Sequence, residues 1–193
     1  MIESGYWAAS SVGDRLRWIG PERGRRRGPF KILLVTALAA APAAVAAIAR
    51  PSAVFVWNLS ASAPVGLYWV QHEAPVGRGD VVIAWAPLAS RLLAAKRNYL
   101  PASVPLVKPV AAAAGDRVCA NASSVLVNGR AVATRSPADP SGRRMPWWTG
   151  CHLLGRGELF LLSKNVPAAF DGRYFGITPR RLVIGRARLL WPR

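Results

Sequence analysis

The chain carries the stretch NLSASAPVGLY at residues 58–68, and the rest of the sequence is best understood from it. Two serines, Ser60 and Ser62, are separated by one residue, and Pro64 and Gly66 follow. Pro64 fixes its own φ and disfavours helical backbone in the residue before it, so the pattern predicts that Ser62 lies on an exposed turn. Such a turn can present a nucleophilic hydroxyl. The same pattern is also typical of an ordinary turn without chemistry, and the remaining sequence must decide between the two.

Length and composition indicate one compact, mainly β domain with a short appendage. The chain has 193 residues, which is enough for a substantial core. Short runs of Val, Ile, Leu and Trp are interrupted by Gly, Pro and Asn, a pattern typical of strands. Asn128-Gly129 lies between two such runs and predicts a hairpin with a type I′ turn. Apolar residues at helical spacing predict a short surface helix within residues 88–100.

The N-terminal part predicts export with a membrane anchor. Residues 1–31 are polar and basic and favour a cytosolic leader, whereas residues 32–49 are uncharged and almost wholly apolar. At 1.5 Å per residue, the second segment spans roughly 27 Å and predicts a transmembrane helix. The basic cluster before it predicts a cytosolic N-terminus, so residues 50–193 form the exported part. A cleaved signal peptide and a buried helix are the alternatives.

The aromatic residues and cysteines that follow agree with this topology. A group of aromatics soon after the apolar segment suits a membrane interface: Phe55, Trp57, Tyr68 and Trp69.

Cys119 and Cys151 are the only cysteines. In an oxidising compartment they predict a single disulfide, and without suitably spaced partners they make a poor zinc site. We therefore expect neither a metal nor a cofactor.

The basic character of the chain leaves its partner open. The formal net charge is +17, and arginine supplies most of it. Nucleic acid, anionic lipid or an acidic protein would each complement such a charge. The alternative is a cationic surface that is solvated and binds no specific partner. The aromatic residues do not alternate with the arginines as in a stacking platform for nucleic acid. The predicted topology also places most of the charge away from DNA, so we do not expect nucleic acid as the partner.

A serine nucleophile needs a base, and lysine is the better candidate here. His72 and His152 lie in predicted surface or loop segments, and no Gly-x-Ser-x-Gly elbow is present. A lysine can act as the base only where burial lowers its pKa from about 10.4. Lys108 lies in the apolar run PLVKPV, whereas Lys96 and Lys164 lie in polar surroundings. An edge lysine with only its stem buried is the structural alternative for Lys108.

Together these segments resemble type I signal peptidases of the Ser-Lys class. Within that class the sequence is similar to the conjugative-transfer branch, the TraF-type proteins that mature pilin subunits. The resemblance covers roughly Asn58 to Arg188. It is carried by SASAP at residues 60–64 and by its continuation through residue 68. Further matches are RGDVV at 78–82, LVKPV with GDRV between 106 and 118, and FDGRYFG at 170–176.

The resemblance implies a role for each matching residue. Ser62 is expected to attack the scissile carbonyl, with Lys108 as general base and then general acid. The Ser62 N–H and the Ser60 hydroxyl are expected to stabilise the oxyanion. Asp171 is expected to support the site, by pairing with Arg173 rather than by meeting the lysine. Gly172 replaces a serine that is usual in the family, which removes a hydroxyl that could orient the lysine.

The resemblance also implies a setting. The fold would be a signal-peptidase-like, LexA-like β domain behind one N-terminal transmembrane helix, in the bacterial inner membrane with the catalytic domain in the periplasm. The substrate would be a pilin-like precursor of a type IV secretion apparatus, and the lipid bilayer and other conjugation proteins would be partners. Cyclisation of the pilin would require an amine to capture the acyl-enzyme. A general signal peptidase and a non-catalytic secretion-channel assembly protein are the rival interpretations.

Overall fold

In a computed structural model of the chain, the structure describes residues 54–193 and four earlier positions, Thr36, Leu38, Ala40 and Ala41. The backbone is helical at these four positions. The predicted leader, residues 1–31, lies outside the described residues, and so does the rest of the predicted transmembrane segment, residues 32–49. Within the described part of the chain, no helix is both long enough and apolar enough to cross a bilayer.

The regular secondary structure of residues 54–193 is mainly β, as predicted. The strands are β1 (Phe55–Asn58), β2 (Gly66–Gln71), β3 (Val81–Ala84), β4 (Leu106–Ala112), β5 (Arg117–Ala120), β6 (Ser124–Val127), β7 (Arg130–Thr134), β8 (Gly150–Leu153), β9 (Glu158–Leu161), β10 (Thr178–Pro179) and β11 (Val183–Pro192). The helices are α1 (Leu88–Lys96) and α2 (Gly172–Phe175), and Arg180–Leu182 form a single 3₁₀ turn. The predicted surface helix within residues 88–100 is therefore present as α1.

The strands form two antiparallel sheets. The larger sheet has the order β1-β2-β11-β3-β4-β9-β10, and the smaller one has the order β7-β6-β5-β8. β6 and β7 are joined by Asn128 and Gly129, whose φ values of 52° and 79° are both positive. A type I′ turn requires positive φ at both central positions, so the predicted hairpin is confirmed.

Three clusters of buried apolar side chains hold the sheets together. On one face of the larger sheet, Tyr68 and Val70 of β2 pack with Ile83 of β3 and Ala187 of β11. A second cluster surrounds β3, β4 and β9, and a third joins the smaller sheet to Phe160. Residues on alternate sides of a strand face opposite directions, so β2 buries one row of side chains and exposes the other.

The exposed face of β1, β2 and β11 is rich in aromatic residues. Phe55 lies opposite Trp69, and Trp57 lies opposite Leu67, which in turn lies opposite Trp191. The exposed fractions are 58% for Phe55, 50% for Trp57 and 70% for Trp191. These side chains are therefore exposed on one face of the larger sheet.

Tyr68 does not belong to this exposed group, and the prediction that placed it there is wrong. Its side chain is only 1% exposed, and its hydroxyl donates a hydrogen bond of 2.7 Å to the carbonyl oxygen of Pro64. The alternation of β2 puts Tyr68 on the core side, between half-buried Leu67 and exposed Trp69. Tyr68 therefore stabilises the end of the loop that carries Ser62.

Gly66 allows that loop to enter the sheet. It opens β2 with a φ of 150° and lies between Asn58 of β1 and Pro192 of β11. A Cβ atom at this position would lie 2.0 Å from the carbonyl oxygen of Trp191. Only glycine permits this close approach of the three backbones.

Candidate active site

Ser62 lies in the loop between β1 and β2, on a partly exposed turn as predicted. Its main chain precedes Ala63 and Pro64, where Ala63 is buried in the core and Pro64 prevents helix continuation. The Ser60 hydroxyl donates to Ser62 Oγ at 2.9 Å. The loop thus presents two hydroxyl groups side by side at the surface of the larger sheet.

Lys108 approaches Ser62 from the middle of β4. It pairs with Val82 of β3, and its neighbours along the strand are Val107 and Pro109. The residue is only 4% exposed, so its surroundings are those of a core residue rather than of an edge lysine. Its Nζ donates to Ser62 Oγ at 2.7 Å. The structure therefore brings together the two residues that the sequence singled out for nucleophile and base.

The protonation of Lys108 is set mainly by burial. The pKa of Lys108 is lowered from its usual 10.5 to about 8, and burial is the largest cause. The Asp171 carboxylate acts in the opposite direction, and the Arg173 guanidinium contributes to the lowering. A charged ammonium loses hydration in a buried position, so the neutral amine becomes accessible near physiological pH. This is the condition under which a lysine can accept a proton from a serine.

Ser163, two residues after the end of β9, also contacts the lysine and was not predicted from the sequence. Its hydroxyl accepts a hydrogen bond of 3.3 Å from Lys108 Nζ and donates one of 2.8 Å to the Ser62 carbonyl oxygen. One side chain therefore connects the base to the backbone of the nucleophile. A hydroxyl that contacts the lysine is present, although the family's serine is missing at position 172.

Position 172 cannot hold the family's serine in this fold, because there is no space for a side chain beside Gly172. A Cβ atom at Gly172 would lie 2.7 Å from the Leu161 carbonyl oxygen and 2.8 Å from the Phe160 ring. The departure from the family pattern is thus matched by close packing of α2 against β9. The hydroxyl comes from Ser163 instead.

Asp171 and Arg173 form a buried ion pair behind Ser163. Arg173 Nε donates to Asp171 at 2.8 Å, and the two residues are only 1% and 0% exposed. Asp171 also accepts the Ser163 N–H at 3.0 Å, and Arg173 Nη2 donates to the Ser163 carbonyl oxygen at 2.8 Å. The pair therefore holds the peptide groups of Ser163, and its link to the lysine runs through Ser163.

The two expected oxyanion donors lie next to Ser62 but are engaged with each other. The Ser62 N–H donates to Ser60 Oγ at 3.2 Å, while the Ser60 hydroxyl is directed to Ser62 Oγ. To stabilise an oxyanion, the Ser60 hydroxyl would rotate away from Ser62 Oγ toward the substrate. Such a rotation needs no backbone movement, because Ser60 is exposed.

Ser62 opens into a groove that can accept an extended peptide. The groove has a volume of about 610 Å³ and is lined by the Ser62 loop, the segment before β3, the middle of β4 and the residues that follow β9. Arg78 and Lys164 are its charged lining residues. A groove of this size at a nucleophilic hydroxyl is the geometry of a binding site rather than of a bare surface turn.

The other candidate bases lie in different surroundings. His72 Nδ1 meets the Ile184 carbonyl oxygen at 3.1 Å, and His152 Nε2 meets Glu158 at 2.8 Å. Lys96 ends α1 on the surface, and Lys164 is exposed at the groove. Within the described residues, Lys108 is therefore the basic side chain that contacts Ser62.

The predicted disulfide between Cys119 and Cys151 is present. The two cysteines lie directly opposite each other on β5 and β8 of the smaller sheet. The bond closes a segment with a sequence separation of 32 residues. It fixes β8 at the edge of the smaller sheet.

Comparison with known proteins identifies the family. The family described as "Signal peptidase, peptidase S26" matches residues 29–192, which is most of the chain. The chain is thus a serine peptidase by class. It belongs to the signal peptidase family, peptidase S26.

Curated relatives confirm the resemblance to the TraF-type branch. A protein of Escherichia coli, "Plasmid transfer protein TraF", is 36% identical over 137 residues, which cover 66% of this chain and 77% of the relative. A "Conjugal transfer protein TraF" of Agrobacterium fabrum (strain C58 / ATCC 33970) is 33% identical over 141 residues, covering 68% and 78%.

Among solved structures, a signal peptidase I from Enterococcus faecalis V583 matches 60% of this chain and 98% of its own, at 19% identity and a TM-score of 0.34.

Proposed function

We propose that the chain is a membrane-anchored serine endopeptidase in which Ser62 is the nucleophile and Lys108 the general base. The observation that supports this most directly is the 2.7 Å separation between Lys108 Nζ and Ser62 Oγ. The lysine is buried, so its neutral form is within reach at neutral pH. Ser-Lys pairs are a known variant of the serine-protease arrangement.

The reaction begins with proton transfer. Neutral Lys108 takes the proton of Ser62 Oγ while that oxygen attacks the scissile carbonyl carbon, which becomes tetrahedral. The Ser62 N–H and the rotated Ser60 hydroxyl donate to the resulting oxyanion, where one lost donor typically costs about 10²–10³ in rate. The lysine then returns the proton to the leaving amine, and the C–N bond breaks to leave an ester on Ser62.

The second half of the reaction resolves the ester. A water molecule, deprotonated by Lys108, attacks the ester and releases a free carboxylate. If the free amino group of the substrate attacks instead, the product is a cyclic peptide and no water is consumed. Ser163 holds the lysine in reach of Ser62 throughout, and the Asp171–Arg173 pair holds Ser163.

The proposed substrate is an exported pilin-like precursor of a conjugative type IV secretion apparatus. The names of the relatives, a plasmid transfer protein and a conjugal transfer protein, support this choice. The groove beside Ser62 has room for an extended precursor segment. Other proteins of the conjugation apparatus would then be partners.

The proposed location is the bacterial inner membrane, with a cytosolic N-terminus and the catalytic domain in the periplasm. The Cys119–Cys151 disulfide supports an oxidising compartment. The exposed aromatic face that includes Phe55, Trp57 and Trp191 supports contact with the bilayer near the site. Protease added to spheroplasts should remove the domain that follows residue 50; protection of that domain would contradict this location.

A co-expression assay tests the proposed function. A candidate pilin precursor is expressed with the wild type, Ser62→Ala or Lys108→Ala, and its intact mass is measured. Both variants should abolish processing, whereas Ser141→Ala and Lys96→Ala, which alter exposed residues away from the site, should not. A product lighter by one further water would show cyclisation. Processing that continues in both site variants would contradict the proposal.

A general signal peptidase is the second candidate, and membership of the S26 family favours it. The two functions differ in substrate range rather than in chemistry. The same cells therefore also carry an unrelated precursor with a signal peptide. Cleavage of the pilin alone supports the conjugative role, while equal cleavage of both precursors supports the general one. Folded protein that processes neither precursor would support a non-catalytic assembly role.

A further inference from the structure

Asn58 is the last residue of β1, and it is buried, with only 3% of its surface exposed. Its Oδ1 accepts the N–H of Ser60 at 3.0 Å. The two hydrogens of its Nδ2 are shared among three acceptors, the carbonyl oxygens of Ser60, Ala63 and Pro64, at 2.9, 3.1 and 3.0 Å. Every one of these partners belongs to the main chain of the loop that carries Ser62. The side chain thus interacts with that loop instead of with a neighbouring strand.

The loop needs such a partner because it leaves the sheet. Buried main-chain carbonyls must be paired. Among the described residues no strand pairs with residues 59–64, and the loop meets its next backbone partner only at Val65, whose carbonyl accepts the Arg193 N–H at 3.0 Å. Ala63 is buried, and Pro64 contributes no N–H. The amide of Asn58 supplies main-chain hydrogen bonds that a neighbouring strand would otherwise make, at Ser60, Ala63 and Pro64.

The contacts fix the peptide groups on both sides of Ser62. Ser60 is held by its N–H and by its carbonyl, and Ala63 is held by its carbonyl. Ser62 lies between these anchors, while Lys108 is placed independently by β4. The 2.7 Å contact between Ser62 Oγ and Lys108 Nζ therefore depends on a loop that Asn58 helps to hold, together with Tyr68 and Ser163.

The contacts also explain why asparagine occupies the position. Only an amide offers a donor and an acceptor on the same short planar group. Aspartate has the same shape but no donor, so it would face three carbonyl oxygens. Alanine would leave all four main-chain groups without this partner.

We propose that Asn58 is a positioning residue of this peptidase, which holds Ser62 and Ser60 in place for attack and for oxyanion stabilisation. The inference rests on the proposed function of Ser62. A displacement of about 1 Å at a reacting group can cost about 100-fold in rate. Loss of the Asn58 contacts should therefore affect the chemical step more than precursor binding, because attack requires a more exact geometry than the groove, of which this loop forms only one wall.

The test compares Asn58→Asp and Asn58→Ala with the wild type, using full-length protein and the purified pilin precursor. Both variants should lower kcat per folded molecule about 100-fold and change KM less than about 3-fold. In Asn58→Ala, the pH midpoint of kcat/KM should stay near that of the wild type, since Lys108 lies on another strand. Asn121→Ala is the matched control, because Asn121 caps an exposed turn by accepting the Ser123 and Ser124 N–H groups. It should leave kcat unchanged.

Two outcomes would overturn the proposal. One is a kcat per folded molecule that equals the wild type, and the other is a change confined to KM. Ser62→Ala is measured in parallel: if it is inactive while the Asn58 variants are fully active, the positioning role alone is wrong. If Ser62→Ala is itself active, the proposed function is wrong.

A measurement on the wild type covers the case in which the variants do not fold. In the NMR spectrum, the side-chain NH₂ of Asn58 should exchange with solvent at least 10-fold more slowly than that of exposed Asn121. Exchange at the same rate would contradict the hydrogen bonds on which the proposal depends.

Discussion

Replacing Lys108 by methionine should abolish activity and stabilise the fold at neutral pH. Burial lowers the pKa of Lys108 from its usual 10.5 to about 8, so the folded state resists protonation of this group. Below pH 8 the lysine is charged in both the folded and the unfolded state, and the folded state bears the full free-energy cost of burying a charged ammonium. Above pH 10.5 it is neutral in both states, and the cost disappears. Wild-type stability should therefore rise with pH between these values through this group.

The magnitude follows from the two pKa values. A difference of 2.5 pKa units corresponds to about 3 kcal/mol at pH 7, falling to about 1 kcal/mol at pH 10. Methionine fills a similar volume and does not titrate. The difference in unfolding free energy between Lys108→Met and the wild type should thus shrink by about 2 kcal/mol between pH 7 and pH 10. Other titrating groups are common to both proteins and cancel.

The assay is urea unfolding of both proteins at several pH values, with Lys96→Met as a control for an exposed lysine. Lys96→Met should show the same pH dependence as the wild type. A Lys108→Met difference that stays constant from pH 7 to pH 10 would contradict this prediction, since Lys108 would then titrate alike in both states. The same lowered pKa predicts that kcat/KM of the wild type rises about tenfold from pH 7 to pH 9, with a midpoint near 8.

Three further predictions concern the surroundings of the pair. Ser163→Ala should lower kcat about 10- to 100-fold with little change in KM, because Lys108 loses a hydrogen bond of 3.3 Å that orients its amine toward Ser62. Steady-state kinetics on the precursor check this, and an unchanged kcat would contradict it. Gly172→Ser should destabilise the fold by about 1–3 kcal/mol, because its Cβ meets the Leu161 carbonyl oxygen at 2.7 Å; urea unfolding at pH 7 measures it, and a stabilised variant would show that α2 can shift. Replacing Cys119 and Cys151 by serine should cost about 4 kcal/mol for a sequence separation of 32; thermal unfolding of the oxidised wild type and the double variant tests this, and equal stability would speak against it.

The central pair could be predicted from the sequence because each member has a local signature. Ser62 lies two residues before Pro64, which favours an exposed turn, and Lys108 is a lysine inside an apolar run. The hairpin at Asn128-Gly129 was predictable for the same reason, since a two-residue turn depends on the residues in it. The contact between Ser62 and Lys108 rested on the family resemblance, because 46 residues separate them.

Ser163 and Asn58 could not be predicted because their roles arise only from tertiary contacts. Ser163 lies 55 residues from Lys108 and stands in an ordinary polar loop. Asn58 is followed two residues later by Ser60, a spacing at which an asparagine side chain often accepts an N–H. That spacing indicates the first contact but not the bonds to Ala63 and Pro64. The error over Tyr68 was avoidable, because strict alternation along β2 separates it from Trp69.

The most direct test of the central claim is to locate the acyl group on the enzyme. The protein is treated with p-nitrophenyl acetate, quenched, digested, and analysed by mass spectrometry. A label should form on Ser62 at a rate that rises with pH to a midpoint near 8, with no label at this position in Ser62→Ala and slow labelling in Lys108→Ala. A label on another residue that forms equally fast in Ser62→Ala, or a Ser62 label that Lys108→Ala does not slow, would contradict the assignment of Ser62 as nucleophile and Lys108 as base.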